Sequence, residues 1–217
     1  MCFSASASFG AAFVLGSVGA ATLRGERHAR RIPLASVPLL FAAQQLVEGL
    51  LWRILERSPY WKSTTDLARV FLFFALFLWP AYLPLSLALV ERVRARRLAL
   101  VALFAVGAAL GAYLMGCALL RPVYSCVALQ HVYYSVQVDA AFRPATSFVY
   151  GATVIAPLLV SSVRGTSIFA VAVLCSFTLA GALFRTGFAS VWCFFAALLS
   201  AAIYAIVVID RRGAAAA

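Results

Sequence analysis

The sequence predicts an all-α polytopic membrane protein: a bundle of seven transmembrane helices, with a short strand or hairpin laid as a lid over its extracytoplasmic mouth between helices 4 and 5. Three observations carry this. Hydrophobic residues make up 65% of the 217 and charged ones only 12%, against about half and about a quarter in a typical globular chain. The mean hydropathy is +0.98. The charges are also bunched. Uncharged intervals run 1–23, 70–90, 98–120, 144–163, 165–184 and 186–209, and a further one, 32–52, is broken by Glu48 alone. A helix needs about 20 mostly apolar residues to cross a bilayer. The whole chain, 1–217, therefore reads as one membrane domain with spans near 4–23, 33–52, 70–90, 98–120, 145–163, 166–184 and 187–209. No length remains for a soluble domain.

Each element has its own signature. Span 1 has no basic residue ahead of it and Arg24, Arg27, Arg30 and Arg31 behind it. That is the reverse of a secretory signal, so it reads as a retained helix with a translocated start. Span 3 holds Trp79-Pro80 and Pro84, and span 5 holds Pro157; each proline removes a backbone donor and kinks its helix. Span 4 carries Gly107-xxx-Gly111 and, offset by one, Ala108-xxx-Ala112-xxx-Gly116. Small residues four apart let helices approach closely, and packing within the bundle is favoured over a dimer seam. Pro122 stops span 4. Beyond it, His131, Tyr133, Ser135 and Gln137 alternate with Val132, Tyr134, Val136 and Val138. This period of two marks the strand or hairpin of the lid.

Orientation follows from the loops. The net charge is +11, and the basic residues sit between spans, so they report membrane topology and call for no nucleic acid. With the N-terminus outside, the tight clusters 24–31 and 92–97, Arg164, Arg211 and Arg212 all lie inside. Cytoplasmic loops favour Lys and Arg, which selects an extracytoplasmic N-terminus and a cytoplasmic C-terminus.

Glu48 is the one acid within a predicted span, and Gln44, Glu48 and Trp52 form a stripe at i, i+4 and i+8 with Gln45 beside them. A carboxylate in hydrocarbon is costly, so the stripe faces the bundle interior or a wet cavity. Two readings stand level: an interhelical clamp partnered by Gln44 or a tyrosine, and a ligand or proton site. The topology places Glu48, Trp52, Tyr113, Cys117, Trp192 and Cys193 toward the outer face, with Cys2 at the N-terminus and His131 on the lid. The expected ligand-binding set is Gln44, Gln45, Glu48, Trp52, Tyr113, His131 and Trp192. Cys117 and Cys126, nine apart across the start of the lid, are a candidate disulfide at an oxidising face; Cys2 with Cys193 is the complementary pair. Cys2, His131 and Cys193 are weak metal candidates, since no CxxC, HExxH or paired-His spacing supports them. The sequence does not identify a cofactor. Lys62, the sole lysine, lies in a loop and excludes a helix-borne retinal Schiff base, while His28 and His131, both outside spans, disfavour bis-His haem and multi-His hydrolases. No P-loop or dinucleotide fingerprint is present.

The opening Met1-Cys2-Phe3-Ser4-Ala5-Ser6-Ala7-Ser8-Phe9, the run Gln44-Gln45-Leu46-Val47-Glu48-Gly49 and the run Ser190-Val191-Trp192-Cys193-Phe194-Phe195-Ala196-Ala197 together resemble a family of uncharacterised bacterial integral membrane proteins, a domain of unknown function, over nearly the whole chain. The resemblance implies a seven-helix protein of the bacterial cytoplasmic (inner) membrane and supplies no activity or catalytic residue. The leading functional expectation is an outward-opening polar and aromatic pocket that binds a small molecule or lipid, in a sensor, transport component or accessory subunit of a larger membrane complex. The alternative is a membrane enzyme in which Glu48 is the general base and Cys2, Cys193 or His131 the nucleophile or metal ligand.

Overall fold

The computed structural model describes residues 4–57, 62–128, 130–184 and 187–215. Long helices dominate. They are labelled here α1 (Ala5–Arg24), α2 (Ala29–Arg57), α3 (Thr65–Val90), α4 (Arg94–Leu120), α5 (Arg143–Val160), α6 (Thr166–Leu183) and α7 (Phe188–Ile209). Six of them, all but α5, are long and apolar enough to cross a membrane. The expected span 145–163 falls on α5, the one helix that does not reach that measure. α5 opens on Arg143-Pro144 and spends Thr146, Ser147, Tyr150 and Thr153 on its length, which dilutes its apolar character. The outer surface is nevertheless that of a lipid-facing bundle: Phe13, Leu98, Leu120, Phe148, Ile168 and Leu183 are all strongly exposed.

Successive helices run up and down, so the connections fall alternately at two ends. One end carries a two-stranded antiparallel hairpin, β1 (Tyr124–Ala128) and β2 (His131–Ser135), in which Ala128 pairs with His131 and Cys126 with Tyr133. Ahead of β2, Gln130 takes a left-handed φ of 61°. The other end gathers the arginines of the α1–α2 and α3–α4 connections. The hairpin packs on the bundle through its second strand, with Val132 fully buried and Tyr134 stacked on Phe71 at 4.6 Å and 3°. Arg121 Nη1 donates to the Gln137 carbonyl at 2.8 Å and Arg143 Nε to the Val138 carbonyl at 3.1 Å. These two arginines tie the strand's trailing segment to the ends of α4 and α5.

The prolines act locally and through their neighbours. Ahead of Trp79-Pro80, α3 widens into a π-helical turn over Phe73–Leu78, and the Trp79 amide reaches back to the Phe74 carbonyl. Proline at 80 has no N–H and its ring crowds the carbonyl four residues earlier, so the ladder relaxes by one residue. The Ala75 carbonyl inside this turn accepts the Tyr150 hydroxyl at 2.5 Å, which joins α5 to α3. Against the same stretch lies α4. A Cβ on Gly107 would fall 1.8 Å from the Pro80 carbonyl oxygen, and one on Gly111 would fall 2.8 Å from Phe77 Cα. The glycine pair therefore serves backbone contact within the bundle. Gly116, on the neighbouring small-residue stripe, has open space instead.

At the arginine-rich end, Glu91 locks two connections together. Its carboxylate accepts from the Ser162 amide at 2.7 Å, the Ser162 hydroxyl at 2.6 Å and the Val93 amide at 3.0 Å. Burial alone would raise this carboxyl; the donors outweigh it and hold it below the ordinary carboxylate range. Because the folded value is the lower one, the lock is at full strength above the unfolded carboxylate pKa and fails as pH falls through the folded value.

Two outcomes are expected from thermal unfolding in detergent. Gly107→Ala destabilises by about 1–3 kcal/mol, the range for overpacking a filled interface, while Gly116→Ala has no such effect. Glu91→Ala costs about 1.5 kcal/mol near neutral pH, the lower end for hydrogen bonds to a charged group because Ser162 itself reaches solvent. It also removes the acid-dependent part of the melting temperature.

Candidate functional site

The polar stripe of α2 lies wholly inside the bundle: Gln44, Gln45 and Glu48 are each 0% exposed. They sit there because the apolar residues of α2 leave one helical face for them, and that face meets α3 and α7. Glu48 Oε1 accepts the Ser190 hydroxyl at 2.5 Å, and Glu48 Oε2 accepts the Gln45 amide at 3.2 Å. Gln44 Oε1 accepts the Trp79 indole N–H at 2.7 Å. The Gln44 Nε2 amide is buried and has no hydrogen-bond partner among the described residues. The clamp partner expected for Glu48, Gln44 or a tyrosine, is thus replaced by Ser190 and Gln45. Among the described residues no cation pairs with Glu48. Gln44 instead holds α3, so the stripe ties α2 to two helices at once.

Ser190 and Trp79 went unselected as partners in the sequence because each is a long-range contact. Ser190 stands in the same run as Trp192 and Cys193, and that proximity is the signal it offered. One turn of α7 places Ser190 against Glu48, and the next residues, Trp192 and Cys193, then face the bundle's open space.

Two cavities meet at those residues. A small enclosed one, about 30 Å³, lies between Phe41, Trp79, Phe169 and Trp192, with Phe41 stacked on Trp79 at 3.7 Å. A larger one, about 300 Å³, lies under the hairpin's trailing segment. Its floor and walls are aromatic: Tyr150, Phe177, Phe188 and Trp192. Phe188 stacks on Trp192 at 5.9 Å, and Tyr150 and Phe177 meet Trp192 edge-on at 5.6 and 5.2 Å. Its polar side is Arg143, Thr146 and Ser147 at the start of α5. The indole N–H of Trp192 is buried and has no acceptor among the described residues.

The other expected site residues are dispersed. Trp52 is buried, but among Ala5, Leu51, Leu72 and Val132 below the hairpin, and it lines neither cavity. Tyr113 is 40% exposed on the outer face of α4, away from both cavities. His131 is buried at the hairpin turn, edge-on to Phe184 at 5.1 Å; a Cβ on Gly187 would come within 2.7 Å of its Cβ. Burial holds its imidazole below the ordinary range. The candidate Cys117–Cys126 disulfide is corrected: both thiols are free, Cys117 buried on α4 and Cys126 exposed on β1. Cys126 lies opposite Tyr133 on the exposed face of the hairpin. Cys193 is likewise free and buried, and Cys2 lies outside the described residues. Among the described residues no three His, Cys, Asp or Glu side chains gather as a metal site would require.

The cluster makes a graded prediction. Glu48→Gln keeps volume and still accepts from Ser190, and Gln45 can turn its amide to match, so thermal stability stays near wild type. Glu48→Leu takes the carboxylate acceptor from the Ser190 hydroxyl and leaves the Gln45 amide nitrogen unpaired in the interior, at about 1–3 kcal/mol. Unfolding monitored by circular dichroism separates the two.

Against known proteins, neither a curated protein nor a solved structure matches the chain. A family model does match, over residues 1–217. Its description is a family of unknown function, DUF6629. With the match spanning the entire sequence, the protein belongs to the DUF6629 family.

Proposed function

We propose that this protein is a seven-span bacterial inner-membrane protein, with an extracytoplasmic N-terminus, whose hairpin-covered cavity binds a small amphipathic molecule. The observation that carries the reading is the cavity of about 300 Å³ itself, at the lower end of the range for small-molecule sites. It pairs an aromatic wall with a guanidinium at its rim. Thr146 and Ser147 supply hydroxyls beside Arg143. Arg143 Nε is engaged by Val138, and the terminal amino groups of the same fork remain for an acceptor. The matching ligand has a short apolar body and an anionic or strongly accepting head.

In this reading the buried carboxylate acts indirectly. Glu48 grips Ser190 and so fixes the rotation of α7 that presents Trp192 to the cavity. Gln44 and Gln45 extend the same brace. Positioning by buried hydrogen bonds is what a preformed site needs, because a loosely held ring would have to be ordered on binding.

Octanoate is a suitable probe, with octanol and octylamine as neutral and cationic comparisons, titrated into protein in lipid nanodiscs and followed by tryptophan fluorescence. Saturable octanoate binding is expected, with a signal lost in Trp192→Phe. Arg143→Gln weakens it about tenfold or more, the equivalent of one hydrogen bond to a charged group. Ser147→Trp fills the cavity and abolishes it without lowering the melting temperature. Equal responses to all three probes, or unchanged binding in Ser147→Trp, overturn the proposal.

A further inference from the structure

A second concavity lies at the opposite end of the bundle, and its chemistry is that of an anion site. The cleft encloses about 740 Å³ and is lined by His28, Arg30 and Arg31 from the α1–α2 connection, Glu91 and Arg92 from the α3–α4 connection, and Arg97 from the first turn of α4. Two stretches far apart in sequence, 28–31 and 89–97, thus bring guanidinium groups to one wall. The preference of cytoplasmic loops for basic residues explains why arginines occur at this end. It does not explain why they converge, since like charges drawn together repel unless an anion sits between them.

The one carboxylate on the wall does not fill that role. Both oxygens of Glu91 are taken by Ser162 and by the Val93 amide. Among the described residues, the side chains of Arg30, Arg92 and Arg97 pair with no carboxylate. The N-terminus of α4 adds to the positive field: its cap residue, Val93, offers no side chain to the first-turn amides. The surroundings are apolar on the bundle's outer side. Leu89 borders the cleft at 40% exposure, and Val93 and Leu98 beside it are 47% and 60% exposed. A charged concavity that opens onto lipid-facing leucines, at the level where the helices end, matches a phosphate head with acyl chains attached.

We infer that this arginine-lined cleft binds a phosphate-bearing anion, supplied by the headgroup of an anionic phospholipid. Arginine suits it because its planar fork donates to two phosphate oxygens together. The inference is independent of the cavity under the hairpin, being built on different residues at the other end of the molecule.

The test uses the full chain in detergent, with dihexanoyl-phosphatidylglycerol, dihexanoyl-phosphatidylcholine and inorganic phosphate as probes and native mass spectrometry with thermal shift as readouts. Phosphatidylglycerol binds saturably and raises the melting temperature; phosphatidylcholine does neither. Affinity falls about fivefold for each charge removed, in Arg92→Gln and further in Arg30→Gln/Arg97→Gln, all exposed positions. The matched pair at the other end, Arg53→Gln/Arg57→Gln, binds as wild type does. Inorganic phosphate competing at equal concentration supports the site and assigns it to a soluble anion. Undiminished binding in Arg92→Gln, or an equal loss in Arg53→Gln/Arg57→Gln, overturns it. The single Arg92→Gln variant keeps the question decidable where the double variant inserts poorly.

Discussion

In a bundle coated with leucine, valine, isoleucine and phenylalanine, helices cannot sort themselves by hiding apolar surface from water, because the surrounding lipid is as apolar as they are. Their order rests instead on a few hydrogen bonds between helices, three of them buried and one part-buried. Glu48 with Ser190 joins α2 to α7, Gln44 with Trp79 joins α2 to α3, Tyr150 with the Ala75 carbonyl joins α5 to α3, and Ser36 with Tyr82 makes a second tie from α2 to α3. Three of these four meet at α2, and three fall along one stretch of α3. The stripe on α2 is therefore less an isolated polar patch than the hub from which helix identities are assigned.

The same ties decide where space is left. Pro80 relaxes the ladder of α3, the relaxed turn exposes the Ala75 carbonyl, and that carbonyl takes the hydroxyl of Tyr150. Tyr150 is thereby held as a wall of the larger cavity rather than collapsing into it. On the opposite wall Ser190 fixes α7, and Trp192 stands between the two cavities. A proline and a carboxylate on different helices so cooperate in keeping one volume open. Between α3 and α4 the contrary holds. There the glycines at 107 and 111 close all space, backbone to backbone.

Much of this organisation was readable before any coordinates, for a simple reason. Charges are nearly forbidden within apolar helices, so their absence marks helix positions to within a few residues, and alternation of polarity marks the hairpin. The burial of Gln44, Gln45 and Glu48 was legible on the same ground, since an amide and a carboxylate have nowhere else to go. What escaped was rotation and partnership. Tyr113 sits at the height expected of it and yet faces outward, because the spacing of residues along α4 says nothing about which face meets α3 until Gly107 and Gly111 are seen in contact with Pro80 and Phe77. Cys117 and Cys126 are close in sequence, but the pleat of β1 sends the second thiol to the exposed face. Ser190 and Trp79 lie far along the chain from the side chains they serve, and no local pattern announces such pairs. The reduced apolar character of α5 follows from residues that line the cavity, Thr146, Ser147 and Tyr150 among them.

The connection between α6 and α7 looks like the sort of segment in which substitutions accumulate freely. Gly187 makes it otherwise. The side chain of His131 occupies the place where any larger residue would put its first carbon, so the hairpin turn and this connection fit together with a hydrogen atom's clearance. Variation at 187 would be filtered as severely as in the interior of the bundle, and the constraint is mutual, since the hairpin can drift in sequence only so far as its contact at 187 is kept. A loop of this kind carries the mutational sensitivity of a core, and it lends that sensitivity to the strand lying above it.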